Sequence, residues 1–476
     1  MPTENKLSKR HEYYDKFLSR WEFYQAAYAG IWELLDSDSD FDTDLLSVFE
    51  QNERESTTNY NQRRKEAYDF GYSKSIVNIY NFYLFEKEPQ RELGQLAADE
   101  LFERFLDDCD LYGTNYNTWI INRSKESSIF GTVGILVDSP SLEVFSRQEQ
   151  INQSVYPFLS VYTPQNILYW RYDTDPLSYR PFLSELLLYD GENYRYWTTE
   201  IWEVWGDKEV DGKSSLELIN NGVNPIREIP FFWLVNGETQ YRNIGVSDIV
   251  TVSRIDLSII NNLSQAEEVV KYAAFPMQRK PKPLAKYKSE QEDIVGPTAI
   301  LWFDPDNPAS KPDWLESPTE STIRAILAWL ERKEQAIYQT ANIGGLAATQ
   351  VSQSDKSGEA RKWEFRMLNS MLAMKAEQIE EAEYKILYFW LKWQGQENLY
   401  ADIKIDYPRD FNIEQLEADL MNMMTAKQMV RSETFKQEIE KRTAKQVLPK
   451  LVQDTQLKID GEIETVTSKP PATDII

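Results

Sequence analysis

Two long stretches of helical periodicity, on either side of a proline-containing insert, constrain the fold of this chain more than any other feature. In residues 247–274 apolar side chains recur every three or four residues, and neither Gly nor Pro interrupts them. At about 1.5 Å of rise per residue this helix is expected to be roughly 40 Å long, with Ser247 as its N-cap. A second helix is predicted over about residues 320–342, so both helices return to one body. The apolar positions of the first are Val252, Ile255, Ile259, Leu263, Ala266 and Val270.

The rest of the chain predicts a mixed body of helices and antiparallel sheet. Aromatic and aliphatic residues follow a helical stripe over residues 7–34, and a second helical stretch covers about 61–86. Short alternating segments separated by turn residues then predict strands, including one from Tyr194 to Trp205. The predicted fold class is therefore α+β. The later predicted elements are a helix over about 358–394 and a short strand over 403–408.

The charge balance restricts how this chain could handle nucleic acid. Its 476 residues include 77 Asp or Glu and 52 Lys or Arg, giving a formal net charge of −25. Tight phosphate binding needs Lys and Arg, so an acidic chain is not expected to hold nucleic acid by charge neutralisation. No apolar run of about 18 residues is present, and the N-terminus is polar, so neither a membrane span nor a signal peptide is predicted.

The residue types needed for catalysis and for metal binding are scarce. The chain has one His and one Cys, which leaves no His₂-carboxylate site and no zinc site of the His/Cys type. His11 is expected to be solvated on the N-terminal helix, and Cys109 to be a small buried apolar residue. No catalytic, metal-binding or cofactor-binding residue is therefore predicted. A carboxylate-dependent carbohydrate hydrolase remains an alternative, because carboxylates and Trp are plentiful and such enzymes need two carboxyls across a cleft.

Two segments carry local chemistry that differs from the acidic background. The first is a basic island between residues 275 and 288 with no Asp or Glu, which suits phosphates or an acidic partner, and equally a solvated tip. Its cations are Arg279, Lys280, Lys282, Lys286 and Lys288. The second is a small, polar loop after Gly344-Gly345, over residues 344–357. Its polar candidates are Gln350, Ser352, Gln353, Ser354 and Lys356.

The order of these elements, together with several short motifs, resembles the portal proteins of tailed bacteriophages. The resemblance includes the N-terminal Tyr/Trp-rich helix, with Tyr13, Tyr14, Trp21 and Tyr28, and spans about residues 10–445. Each motif is short, but they occur in the same order along the chain. An acidic segment over about 36–56 and the C-terminal tail depart from the pattern. The matching stretches are residues 130–140 (FGTVGILVDSP), 162–168 (YTPQNIL), 243–248 (NIGVSD), 356–360 (KSGEA), 409–411 (RDF) and 432–434 (SET).

The resemblance implies a structural protein rather than an enzyme. It implies a dodecameric ring at one vertex of a viral capsid, assembled in the host cytoplasm, through which double-stranded DNA passes during packaging and ejection. The implied partners are other copies of the chain, DNA without sequence specificity, the terminase ATPase, the major capsid and scaffolding proteins and a head–tail adaptor, with no membrane. A non-portal capsid or adaptor protein is a further alternative.

The resemblance also assigns roles to segments of this sequence. The basic island would dock partners from the clip, and the polar candidates after Gly345 would face DNA from the tunnel loop. The implied regions are an N-terminal wing (1–246), a stem helix (247–274), a clip (275–319), a second stem helix (320–343), a tunnel loop (344–357), a wing and tunnel helix with a short strand (358–407), a crown (408–450) and a tail (451–476).

Overall fold

A computed structural model gives the architecture of the chain, which is α+β as predicted. No helix in the described part of the chain is both long and apolar enough to cross a membrane. The described residues are 4–36, 49, 51–53, 55–140, 146–210, 213–274, 278–279, 313–314, 319–343, 358–411, 436–437 and 441. The helices are α1 (Glu4–Leu7), α2 (Glu12–Ala29), α3 (Ile31–Asp36), α4 (Thr57–Glu66), α5 (Tyr72–Leu84), α6 (Glu100–Asp107), α7 (Tyr116–Phe130), α8 (Arg147–Gln153), α9 (Val252–Ala274), α10 (Thr319–Thr340) and α11 (Gly358–Gln394).

The strands of the described residues form four antiparallel sheets. A five-stranded meander has the order β4-β5-β6-β7-β8, and a three-stranded sheet has the order β3-β2-β9. Two further pairs, β1 with β12 and β10 with β11, join segments distant in sequence. The strands are β1 (Gln90–Glu92), β2 (Thr132–Asp138), β3 (Phe158–Tyr162), β4 (Ile167–Thr174), β5 (Pro181–Tyr189), β6 (Asn193–Thr198), β7 (Ile201–Val210), β8 (Lys213–Val223), β9 (Phe231–Val235), β10 (Gln278–Arg279), β11 (Asp313–Trp314) and β12 (Lys404–Asp406).

The N-terminal helices follow the predicted aromatic stripe but are shorter than the sequence pattern suggested. Phe17 and Trp21 on α2 are buried in the main core, and Gly30, at φ +107°, separates α2 from α3. The helix predicted over 61–86 is two helices, because the chain is extended at Ala67 and left-handed at Gly71. The prediction of a solvated His11 is wrong. Its Nδ1 accepts a hydrogen bond from the backbone N–H of Tyr13 and its ring stacks on Trp170, so it caps α2.

The three-stranded sheet occupies the centre of the body, and α7 leads into it. All residues of β2 except Asp138 are buried. Gly131 ends α7 with φ +82°, and a Cβ atom there would lie 2.7 Å from the backbone oxygen of Gly245. The sequence pattern missed α7, because its buried face mixes apolar residues with Ser124, Ser127 and Ser128 and shows no apolar stripe.

The five-stranded sheet corrects one predicted strand. The segment from Tyr194 to Trp205 is a hairpin rather than one strand, and Trp197 pairs with Trp202 across it. The Thr198 hydroxyl accepts hydrogen bonds from the backbone N–H groups of Glu200 and Ile201, which closes the turn. Because β6 and β7 continue the same alternation of side chains, the two-residue connection between them does not interrupt the sequence pattern.

The long helices lie where their periodicity predicted, with one change at the start of α9. Ser247 does not cap this helix, which begins at Val252. The Ser247 hydroxyl instead donates to the backbone oxygen of Ile129 at 2.5 Å and accepts from the N–H of Ile249. Helix α11 has the predicted bounds and buries Trp390 in the main core.

Candidate functional site

The structure describes little of the two segments that the sequence singled out. The predicted DNA-facing residues Gln350, Ser352, Gln353, Ser354 and Lys356 lie outside the described residues, and so do Lys280, Lys282, Lys286 and Lys288. Arg279 lies on β10, opposite Asp313 of β11. The two ends of the insert between α9 and α10 therefore meet in a short antiparallel pair. The predicted docking and tunnel roles stay predictions.

Helices α9 and α10 form a two-helix limb that is rooted in the body at one end. At the root, Val252 of α9 and Ala341, directly after α10, are buried in the main core, and Tyr80 of α5 donates to the backbone oxygen of Ala341 at 2.6 Å. Burial then fades along both helices. Ser264 is the last buried residue of α9 among its described side chains, and Ile337 is the first of α10. The limb thus projects from the body towards the insert.

Polar contacts hold the limb helices together and fix them to the body. Lys333 of α10 donates to the hydroxyl of Ser258 at 2.6 Å and to its backbone oxygen at 3.2 Å, and burial lowers the pKa of this lysine. Asp256, on another side of α9, accepts hydrogen bonds from both the N–H and the hydroxyl of Ser73 on α5. The direction of α9 relative to the body is therefore fixed by buried hydrogen bonds as well as by packing.

A groove between α9 and α10 concentrates positive charge. It encloses about 470 Å³, and three of its lining residues are cations, with no Asp or Glu among them. Arg254 and Arg332 are exposed, and Trp329, at 52% exposure, forms part of the wall. The lining consists of Thr251, Arg254, Ile255, Ser258, Trp329, Arg332, Lys333 and Ala336. We call this feature the basic groove.

The sequence did not reveal the basic groove. In α10 the cations Arg332 and Lys333 lie between Glu331 and Glu334, so the local sequence is nearly neutral. The separation occurs in three dimensions, because residues three and four apart share a helix face and the carboxylates occupy other faces. The spacing of Trp329, Arg332 and Ala336 places them on one face of α10. This spacing predicts a groove only when it is known that α9 packs against that face.

A tryptophan-lined cleft lies between the end of the central sheet and the five-stranded sheet. It encloses about 670 Å³, and Trp197, Trp202 and Trp393 contribute to its walls. Asp138 lies at its base, and burial raises the pKa of this carboxyl to about 6. Arg195 bridges Asp138, at 3.3 Å, and Asp190, at 2.9 Å. The cleft therefore combines aromatic walls with one paired acid.

Among its described lining residues, this cleft offers one carboxyl group rather than the pair that a carbohydrate hydrolase uses. Such an enzyme needs two carboxyl groups flanking the scissile bond. Asp138 is the only carboxylate among the lining residues of the cleft, and it is paired with Arg195. Within the ranges that the structure describes, no three His, Cys, Asp or Glu side chains cluster as metal ligands would.

Helix α11 is fixed to the body by two buried charged clusters. Lys375 donates to Asp248 at 2.6 Å and also contacts Asn236, next to the start of α9. About two turns further along α11, Glu383 accepts two hydrogen bonds from Arg91, each 2.6 Å long, and one from the hydroxyl of Tyr407. These clusters join α11 to the root of the limb and to the β1–β12 pair.

Comparisons with known proteins give little support for a family. No family model matches the chain. No curated protein matches it. Among solved structures, one similar chain belongs to the "Neck of native GTA particle computed with C12 symmetry", with a TM-score of 0.40 and 11% sequence identity. That alignment covers 77% of this chain and 89% of the other chain. At this level the similarity assigns no function.

Proposed function

We propose that this chain is the subunit of a portal, a dodecameric ring at one vertex of a phage-like capsid. The ring would conduct double-stranded DNA during packaging and ejection. It would also dock the terminase motor and later a head–tail adaptor. The chain itself would carry out no catalysis, and the energy for DNA movement would come from the separate motor.

The two-helix limb is the observation that carries this proposal. It is rooted in the body at Val252 and Ala341, and its described outer part carries no buried side chain. Val270, Leu327 and Trp329 on this limb are 46%, 53% and 52% exposed. Apolar side chains on a projecting element are stable in water only when a partner covers them or when the patch stays small. A ring would cover them with the limb of the next copy.

The charge of the chain supports a conduit rather than a clamp. A channel wall rich in Lys and Arg would bind phosphates tightly, with an affinity that falls steeply with salt. A net charge of −25 instead repels DNA and leaves it free to slide. In this proposal a few polar loop residues touch the DNA backbone without reading its sequence.

The regional roles follow as part of the same proposal. Residues 1–246 and 358–407 would form the wing with its connecting helix, 247–274 and 320–343 the stem, and 408–450 the crown. Within the clip (275–319), Arg279, Lys280, Lys282, Lys286 and Lys288 would contact docking partners. Within the tunnel loop (344–357), Gln350, Ser352, Gln353, Ser354 and Lys356 would face DNA.

Electron microscopy of the purified chain, with mass photometry on the same sample, tests the proposal. We expect closed rings with a central pore and a mass of about 670 kDa, which is twelve times 55.8 kDa. Replacing Leu327 and Trp329 with Glu should reduce the ring fraction, whereas Leu177→Glu, at a more exposed position on the body, should not. Oligomers without a pore, or a chain that never assembles even with capsid and scaffolding proteins, would contradict it.

A further inference from the structure

The basic groove carries cations that the described part of the chain leaves unbalanced. Arg254 and Arg332 form no ion pair with any described residue, and none of the described residues that line the groove is a carboxylate. By contrast, the buried or half-buried cations Lys375, Arg91 and Arg195 of the body each contact a carboxylate. In a chain of net charge −25, such a groove is a specific attraction for an acidic ligand.

An acidic segment of the same chain has the complementary composition. Residues 36–44 read DSDSDFDTD, with five Asp, no Lys or Arg, and Phe41 next to the central Asp40. This segment begins at the last residue of α3 and otherwise lies outside the described residues. The position of α3 is fixed, because the N–H of Ile31 donates to Asp69 at 2.6 Å. The origin of the acidic segment on the surface is therefore known.

The acidic segment and the basic groove start from different sides of α9. Ile31 and Leu34 of α3 share an apolar cluster with Ile260, and Leu257 packs against the same cluster. The groove uses other faces of α9, through Thr251, Ile255 and Ser258. With 3.6 residues per turn, these two sets of residues point roughly 155° apart around the helix axis. Each subunit therefore presents the acidic origin on one side of the limb and the basic groove on the other.

We propose that residues 36–44 of one copy bind in the basic groove of the neighbouring copy. A closed ring joins two different surfaces of each subunit, head to tail, and opposite charges on opposite sides of the limb fit that symmetry. The Asp carboxylates accept charge-assisted hydrogen bonds from Arg254 and Arg332, and Phe41 packs against Trp329. The inference rests on the proposed ring, and it names the contact that sets the order of subunits.

Disulfide trapping between two single-cysteine variants tests this contact in the full-length chain. Ser39→Cys marks the acidic segment and Ala336→Cys marks the groove, and both substitutions leave every charge in place. The native Cys109 is fully buried, and burial raises the pKa of its thiol, so it stays unreactive. We expect linked dimers when the two variants are mixed under mild oxidation, and few when either is oxidised alone.

Two control variants, a charge reversal and a charge swap define the result. Tyr112→Cys, at 92% exposure and away from the limb, replaces Ala336→Cys and should yield few dimers with Ser39→Cys. Adding Arg254→Glu and Arg332→Glu to the groove variant should lower the dimer yield at least about fivefold, because attraction becomes repulsion. Adding Asp38→Lys and Asp40→Lys to the other variant should restore it. Arg180→Glu, an exposed charge on the body, should change little.

The remaining outcomes separate this inference from the proposed function. If a chain carrying both Ser39→Cys and Ala336→Cys forms only an intramolecular disulfide, docking between copies is overturned. Wild-type rings without linked dimers in the mixture would overturn the contact but not the ring. Linked dimers from a chain that forms no rings would support the contact and contradict the portal. Loss of duplex DNA binding in the Arg254→Glu, Arg332→Glu variant, without linked dimers, would assign the groove to phosphates instead.

Discussion

At the scale of single residues, the buried ion pair of Arg91 and Glu383 is a contact whose loss should strongly destabilise the body. The Glu383 side chain is fully buried, and its carboxylate accepts from both Arg91 and Tyr407. Glu383→Gln leaves the guanidinium without its counter-charge, so we expect a loss of about 3 kcal/mol in the free energy of unfolding, measured with urea. Glu381→Gln on the same helix removes an exposed pair with Lys385 and should cost well under about 1 kcal/mol. Equal losses in both variants would contradict a buried pair.

The acid of the tryptophan-lined cleft predicts a pH dependence with a definite sign. The pKa of Asp138 rises from 3.8 to about 6 on folding, chiefly through burial, so the folded chain holds this proton more tightly than the unfolded chain. Raising the pH from about 4 to 6 therefore weakens the folded state through this group. The stability of Asp138→Asn relative to wild type should increase by up to about 3 kcal/mol over that range.

Asp190 provides the matching control, because its pKa moves in the opposite direction. Burial disfavours its charge, but hydrogen bonds from Asn193 and Arg195 outweigh that effect and lower the pKa. Asp190→Asn should therefore lose stability relative to wild type as the pH rises towards about 4 from below. Urea unfolding followed by tryptophan fluorescence measures both variants. The same trend in the two variants would contradict the assignment at Asp138.

At the scale of elements, the junction between α7 and β2 depends on a close backbone approach. Gly131 has φ +82°, and a Cβ atom there would lie 2.7–2.9 Å from the backbone of Gly245 and Ser247. Gly113 has nearly the same φ, +85°, with open space around it. Gly113→Ala should cost about 1 kcal/mol through backbone strain alone. Gly131→Ala should cost several times more in thermal or urea unfolding, and equal costs would show that the approach is unimportant.

The elements also show what sequence periodicity could predict. Helices α9, α10 and α11 have regular apolar patterns, and the structure has them where the patterns placed them, apart from the later start of α9 at Val252. Helix α7 and the hairpin between β6 and β7 were missed, because a serine-rich buried face and a two-residue turn leave no periodic signal. The basic groove was missed for a related reason. Its residues come from two helices about 75 positions apart, and only their packing brings them together.

At the scale of the whole molecule, the acidic charge predicts weak retention of DNA. The proposed rings should bind duplex DNA more weakly than about 1 µM at physiological salt, since few phosphates are neutralised. Affinity should depend little on DNA sequence. Filter binding of a labelled duplex at two salt concentrations measures both properties. Tight binding with a steep salt slope would indicate a basic channel and would contradict a freely sliding conduit.

The order in which the chain folds during synthesis follows from how the body is closed. Strand β1 pairs with β12, and Arg91 meets Glu383 at a separation of 292 residues. A ribosome must therefore release nearly the whole chain before the first third of it can finish folding. A truncated product would leave Arg91 and the apolar neighbours of α11 exposed. Proteases would degrade it before it could assemble. The topology therefore links the closure of the body to synthesis past β12, because among the described residues β1 has no strand partner before then.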